Sequence, residues 1–128
     1  MALIVQKYGG TSVGMVEQIR NVAQRVVDAR EQGNDVVVVV SAMSGETNRL
    51  VALAKQISPR LDDREIDVLL ASGEQVSCAL LALALKEKGQ LAHSLLGYQV
   101  RIITDSVHGR ARIKTVESSR VLESLKRN

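Results

Sequence analysis

The chain contains 128 residues, a length that favours one domain or part of one. Hydrophobic residues make up 45% and charged residues 24%, which is typical of a folded domain and argues against disorder. The net charge of +3 is small for a nucleic-acid-binding surface, only Tyr8 and Tyr98 are available for base stacking, and the single Cys78 excludes an internal disulfide framework.

The first part of the chain predicts a strand, a helix and a second strand. Residues 2–7 are predicted to form a short buried strand, which ends at the break made by Gly9 and Gly10. Gly33 suits the position just after a helix, and the apolar residues before it recur at helical spacing: Val16, Ile19, Val22, Ala23, Val26 and Val27. Residues 36–40 are five valines, a run typical of a strand covered on both faces.

The middle of the chain predicts three helices. Thr47 is placed to cap the first of these helices, and Pro59 ends it. The residues expected to face inward are Leu50, Leu53, Ala54 and Ile57. Asp62 and Glu65 resemble a capping box for the second. We expect a break at Gly73, with Ser72 and Gln75 capping a third, apolar helix over residues 76–85.

The last part predicts strands at residues 91–96 and 101–104. A helix follows over residues 115–126, with Val121, Leu122 and Leu125 directed inward. The whole order predicts an α/β domain with a parallel sheet and helices on both faces. Because the chain stops where a further strand is expected, residues 1–128 are interpreted as a single, truncated domain.

No segment suits a membrane or a leader peptide. The longest run without a charged residue, residues 89–100, is 12 residues long, against about 20 for a spanning helix. The first residues lack the basic and apolar regions of a secretory signal. We therefore expect a cytoplasmic protein without membrane or nucleic-acid partners.

Residues 7–14, here called the first loop, form a candidate phosphate site. Gly9 and Gly10 allow backbone amides to approach an anion, and the next helix adds its partial positive charge. Lys7 supplies a compact full charge, while Thr11 and Ser12 offer hydroxyls. The pattern matches neither common nucleotide fingerprint, so a phosphate cradle and a plain tight turn are equal alternatives.

Residues 41–48, here called the second loop, follow the valine run. Small hydroxyl residues and a glycine before a helix make a polar cradle that tolerates anions, although an ordinary capping turn has the same composition. In open α/β sheets, ligands bind beyond the carboxyl ends of the strands, where both loops lie. We therefore expect the loops to act together.

Glu74 falls in the first turn of the helix expected after Gly73. A carboxylate there is stabilised by the helix dipole by ~0.3–1 kcal/mol, which is the simpler explanation. The functional alternative is that Glu74 faces the loops and holds a cationic group of a ligand.

Three motifs together resemble the aspartokinases of the amino acid kinase family. They are K-Y-G-G-T-S at residues 7–12, V-V-V-V-S-A-M-S-G-E-T-N at residues 37–48 and S-G-E-Q at residues 72–75. The similarity extends to Q-V-R-I-I-T-D at residues 99–105. The pair of loop motifs is specific within that family.

The resemblance implies the amino-terminal portion of an incomplete αβα sandwich with a parallel sheet. It also implies transfer of the ATP γ-phosphoryl group to the side-chain carboxylate of L-aspartate with Mg²⁺, the first step of lysine, threonine and methionine biosynthesis, by a homo-oligomer. By the family pattern, Lys7 is catalytic and no residue of the chain is a metal ligand. The nucleotide phosphates would contact Lys7, Tyr8, Gly9, Gly10 and Ser41, and the substrate would contact Thr47, Asn48 and Glu74.

The chain departs from the family pattern because the half of the catalytic domain that completes the ATP site is absent. The resemblance therefore implies that 128 residues alone are inactive. The alternative is a non-catalytic binding or assembly module that needs a partner chain, since an uncovered sheet exposes edges and apolar faces. A dinucleotide-binding unit is disfavoured because the second strand ends at Val40 and Ser41 without an acidic residue.

Overall fold

The computed structural model describes residues 1–127 as an α/β structure. Its elements in chain order are β1 (Leu3–Tyr8), α1 (Val16–Glu31), β2 (Asp35–Val40), α2 (Glu46–Ile57), α3 (Asp63–Glu87), α4 (Gly97–Val100), β3 (Ile102–Thr104), β4 (Ile113–Val116) and α5 (Ser119–Arg127). A 3-10 turn at Gly10–Ser12 follows β1. The sheets are the parallel pair β1–β2 and the antiparallel pair β3–β4.

The parallel strands confirm the first part of the prediction. Val5 lies opposite Val37 and Lys7 opposite Val39, with α1 as the crossover between the strands. Gly33 has a φ of +85°, a conformation that glycine adopts at little cost after a helix. The α/β class and the parallel register therefore agree with the sequence pattern.

The core lies between one face of the sheet and the helices α1 and α3. Four half-buried residues of the strands pack against this core: Tyr8, Val36, Val38 and Val40. Its buried members are Val13, Ile19, Val22, Ala23, Val26, Val27, Leu81 and Leu85. The other face is exposed at Leu3, Val5 and Val39, so the expected helical cover of both faces is not seen within residues 1–127. The reason is that α1 and α3 pack against each other on the same face.

The helix α3 is continuous, and the break predicted at Gly73 is wrong. Asp62 caps its start, as expected, by accepting a hydrogen bond from the Glu65 amide at 3.1 Å. A β-carbon on Gly73 would lie 3.1 Å from Cβ of Ala42 and 3.4 Å from Cγ of Glu46. Glycine in a helix costs about 1 kcal/mol relative to alanine, and here it permits the second loop to approach closely.

The helix α2 begins differently from the prediction. Gly45, with a φ of +77°, is its N-cap, and the Glu46 amide donates to the Met43 carbonyl at 3.0 Å. Thr47 therefore lies in the first turn and is not the cap, because the left-handed glycine already makes the turn. The helix ends before Pro59 as expected, but of its predicted inward residues only Leu50 is buried; Leu53 and Ile57 are exposed.

The carboxyl-terminal part differs most from the prediction. Residues 91–96 form no strand, because they have no hydrogen-bonded strand partner among residues 1–127. The predicted strand at 101–104 is present as β3, and its partner β4 occupies part of the predicted last helix. Three of the four residues in β4 are β-branched, which favours a strand: Ile113, Thr115 and Val116. In α5, Val121 and Leu125 are half-buried, whereas Leu122 is exposed, contrary to the prediction.

Within residues 1–127, the helix α3 is long and apolar enough to cross a membrane by length and composition alone. It packs on α1 and α2 through Gly73, Ser77, Leu81 and Leu85. A core helix of this length passes the same test, so its composition is weak support for a membrane span.

Candidate functional site

The first loop is a tight turn anchored in the core. The Ser12 amide donates to the Gly9 carbonyl at 3.0 Å, and the Val13 amide donates to the Gly10 carbonyl at 3.3 Å. Val13 is fully buried in the core, so it anchors the turn there. The Tyr8 hydroxyl donates to Oε1 of Gln6 at 3.0 Å while the residue packs against the core. The turn therefore has a rigid base and an open side at Gly9, where nothing lies near the position of a β-carbon.

Small residues bring the first loop against the second. The Ser41 amide donates to the Tyr8 carbonyl at 3.1 Å, which extends the pairing of β1 and β2. A β-carbon on Gly10 would lie 3.5 Å from the Ala42 carbonyl oxygen and 3.9 Å from Oγ of Ser41. On Gly14 it would lie 3.1 Å from Cβ of Ser44. The close approach of the loops, predicted from the sheet topology, is therefore present.

The second loop is joined in turn to the middle of α3. The hydroxyl of Ser77, which is 1% exposed, donates to the Ser41 carbonyl at 2.6 Å. Ala42 is buried against Gly73. Ser77 is not among the residues predicted for the site, although a signal is present: Gly73, Ser77, Leu81 and Leu85 recur every four residues, and the serine interrupts an otherwise apolar stripe.

The first turn of α2 contains a charge pair that was also missed. The Arg49 guanidinium donates from Nε to Oε2 of Glu46 at 2.9 Å and from Nη2 to Oε1 at 2.7 Å. The hydrogen bond from Arg49 lowers the pKa of the Glu46 carboxyl, and the same bond raises the pKa of Arg49. The three-residue spacing on one helix was the available signal.

The predicted ligand-binding residues lie on different elements and differ in their exposure to solvent. Thr47 and Asn48 are exposed in the first turn of α2, and Ser41 is half-buried beside Gly10. Lys7, the first residue of the first loop, still belongs to β1 and is exposed on the sheet face opposite the core. These residues belong to segments that the structure joins directly.

Glu74 lies elsewhere on α3 than the sequence predicts. It is the twelfth residue of the helix, so the stabilisation by a helix terminus that was expected for it does not apply. Its exposed side chain lines a cavity of about 740 Å³ along β2, together with Cys78, the valines 36–40 and residues 91–96. Lys7, Thr47 and Asn48 do not line this cavity. The structure thus joins the two loops to α3 but leaves Glu74 at the border of a largely apolar space.

The donor set suits an anion more than a metal ion. Lys7 offers a positive charge, Ser41, Thr47 and Asn48 offer neutral donors, and the α2 terminus adds partial positive charge. Among residues 1–127, no group of three or more His, Cys, Asp and Glu side chains is arranged to hold a metal ion. The arrangement can bind phosphate or carboxylate oxygens, and Glu74 can bind a cationic group.

The family follows from a match over nearly the whole chain. Residues 2–128 match the model of the amino acid kinase family. The chain belongs to this family.

Particular relatives are aspartate kinases. An aspartate kinase from Stutzerimonas stutzeri is 58% identical and an aspartokinase from Pseudomonas aeruginosa 57% identical, each over 126 residues that cover 98% of this chain. The matched part is 31% of each relative, so the chain spans about a third of their length. The crystal structure of aspartate kinase from Synechocystis superposes with a TM-score of 0.66 at 59% identity, covering 69% of this chain and 15% of that one.

Proposed function

We propose that this chain is the amino-terminal part of an aspartate kinase, in which it supplies the substrate side of the site and part of the phosphate side. The observation that carries the proposal is the junction of the three motif segments through the Gly10–Ala42 and Gly73–Ala42 contacts, which the Ser77–Ser41 hydrogen bond reinforces. The high identity to aspartate kinases supports the same activity. Residues 1–128 would be one incomplete unit of a cytoplasmic enzyme, inactive alone.

The phosphate side would be formed by the first loop and Ser41. Gly9 leaves room for phosphate oxygens, Gly10 allows the Ser41 hydroxyl to lie close to the first loop, and Lys7 contributes the charge. Tyr8 would act through its position, since its hydroxyl is occupied by Gln6. ATP fits this set of donors. Mg²⁺, which the kinase class implies, would neutralise phosphate charge when bound, and we assign it no ligand within residues 1–127.

The aspartate side would be formed by the first turn of α2 and by α3. Thr47 and Asn48 would donate to the carboxylate oxygens of L-aspartate, where the helix terminus favours negative charge. Glu74 would hold the ammonium group. The exposure of all three side chains makes them available to a small ligand.

The reaction requires these residues to position the two substrates and to stabilise the charge on the transferring phosphoryl group. An oxygen of the substrate's side-chain carboxylate attacks the γ-phosphorus, and the bond from phosphorus to the bridging oxygen of ADP breaks, giving 4-phospho-L-aspartate and ADP. The attacking carboxylate is already ionised, so no general base is required. Lys7 would stabilise the charge on the transferring phosphoryl group.

The proposal is tested by grafting. We replace the matching 126 residues of the Pseudomonas aeruginosa aspartokinase with this chain and measure ADP release that depends on L-aspartate. We expect activity from the graft and none from the 128-residue chain alone. A folded graft that releases no ADP with L-aspartate would contradict the proposed activity.

A second candidate is a binding or assembly module of the same fold that relies on a partner chain. The exposed outer sheet face at Leu3, Val5 and Val39 favours it. Mass in solution and ATP turnover, measured on the same sample, separate the two. Inactive oligomers of the chain together with an inactive graft would support the module.

A further inference from the structure

The Glu46–Arg49 pair adjoins both parts of the proposed aspartate site. Glu46 directly precedes Thr47 and Asn48 in the first turn of α2. Its Cγ lies 3.4 Å from the position of a β-carbon on Gly73, the residue before Glu74. Any uncompensated charge on Glu46 would therefore act on a ligand held by either group.

We infer that Arg49 is a positioning residue that masks the Glu46 carboxylate, so that an anionic substrate meets a neutral first turn of α2. This inference rests on the proposed function and deepens it. Without Arg49, a bare carboxylate would share the turn with Thr47 and Asn48 and repel the carboxylate of L-aspartate. The role assigned to Arg49 is thus electrostatic, exerted through Glu46.

The geometry favours this electrostatic role of Arg49 over a purely structural one. Arg49 makes two nearly parallel hydrogen bonds to both oxygens of Glu46, the arrangement that best neutralises a carboxylate. The Arg49 side chain is 58% exposed, too open to anchor packing. Glu46 does not need Arg49 to start the helix, because a carboxylate is favoured in a first turn by the helix dipole. Glu46 is ionised at neutral pH, and the hydrogen bond from Arg49 lowers its pKa further below the ordinary value of 4.5.

The test uses steady-state kinetics of the grafted enzyme. Arg49→Met is expected to raise the KM for L-aspartate about three- to tenfold, with little change in the KM for ATP or in kcat, and high salt should reduce the effect. Removing both charges in Glu46→Gln/Arg49→Met should return that KM to within about twofold of the unmodified graft. If the role of Arg49 were purely structural, the KM of the double variant for L-aspartate would be raised at least as much as that of the single variant, and that result would overturn the inference.

A matched control is available on α5. Glu123 and Arg127 form an exposed Glu–Arg pair at 2.8 Å on that helix, with four-residue spacing, so Arg127→Met should leave the KM for L-aspartate unchanged. If Arg49→Met does not fold, Glu46→Gln alone decides, because it leaves Arg49 as an unpaired cation. That variant should lower the KM for L-aspartate, and an unchanged or raised value would refute masking.

The two proposals fail in different ways. An unmodified graft that folds without releasing ADP in the presence of L-aspartate would overturn the proposed function. An active graft in which the double variant keeps the raised KM would overturn the masking role alone.

Discussion

At the residue scale, Ser77 shows how one buried hydroxyl can hold a loop. Its Oγ donates to the Ser41 carbonyl at 2.6 Å and it is 1% exposed, so water cannot replace it. Ser77→Ala should leave that carbonyl without this donor and lower the free energy of unfolding by about 1 kcal/mol. Chemical denaturation of the chain measures this value. Ser72→Ala is the control, because Ser72 bonds only to the Leu69 carbonyl in its own helix; equal losses in both variants would contradict a special role for Ser77.

Lys7 carries the sharpest residue-scale prediction about catalysis. In the grafted enzyme, Lys7→Ala should lower kcat by about a hundredfold or more and raise the KM for ATP far less, because Lys7 is proposed to stabilise charge that develops during transfer. Lys55→Ala, an exposed lysine near the end of α2, serves as the control. Near-normal turnover of Lys7→Ala would remove Lys7 from the mechanism.

At the element scale, the charge pair on α2 predicts a pH dependence of stability. The folded-state pKa of Glu46 is lowered by Arg49, so the stabilisation exists above the unfolded pKa and is lost as the pH falls through the folded pKa. Glu46→Gln should therefore unfold at a slightly lower temperature than the parent chain near neutral pH, and the two should converge in acid, below the ordinary carboxyl pKa of 4.5. The effect is small because solvent screens the pair. Thermal unfolding followed across this pH range tests it; a difference that persists in acid would show that the pair is not its source.

The elements also show which parts of the fold can be predicted. The strands β1 and β2, the helix α1 and the cap at Asp62 follow from local pattern, because their signals lie within a few residues. The continuity of α3 through Gly73 could not be predicted, since the reason for that glycine is the approach of Ala42, distant in the chain. The strand β4 was not predicted because residues 105–112 separate it from its partner β3, and pairing overrides a helical pattern.

The same limit applies to the candidate site. The proximity of the two loop motifs could be predicted from the sequence, because parallel strands place their carboxyl ends at one edge of the sheet. Ser77 acts by bonding to the Ser41 carbonyl on another segment, and spacing within one segment does not reveal that partner. The Glu46–Arg49 pair could have been predicted, because its three-residue spacing lies within one helix. Glu74 was assigned to a helix terminus that does not exist, so its surroundings could not be derived from the sequence.

At the scale of the whole molecule, the sheet has two unlike faces. Along β1 the half-buried residues Ile4, Gln6 and Tyr8 alternate with exposed ones, and Val5 is 63% exposed on the outer face. On the neighbouring strand β2, Val39, which lies opposite Lys7, is 46% exposed on the same face. Adjacent exposed aliphatic residues on a sheet favour association with another surface. This is the basis for expecting a homo-oligomer.

We therefore predict that the 128-residue chain self-associates through this outer face. Val5→Lys should shift its mass in solution to that of a monomer, because a second lysine beside Lys7 would place charge between the aliphatic residues of this face and oppose contact with a second sheet. Val68→Lys is a matched control, since Val68 is similarly exposed, at 61%, but lies on α3. Light scattering at several concentrations measures both variants. A parent chain that stays monomeric, or an oligomer that Val5→Lys leaves intact, would show that the outer face is not the interface.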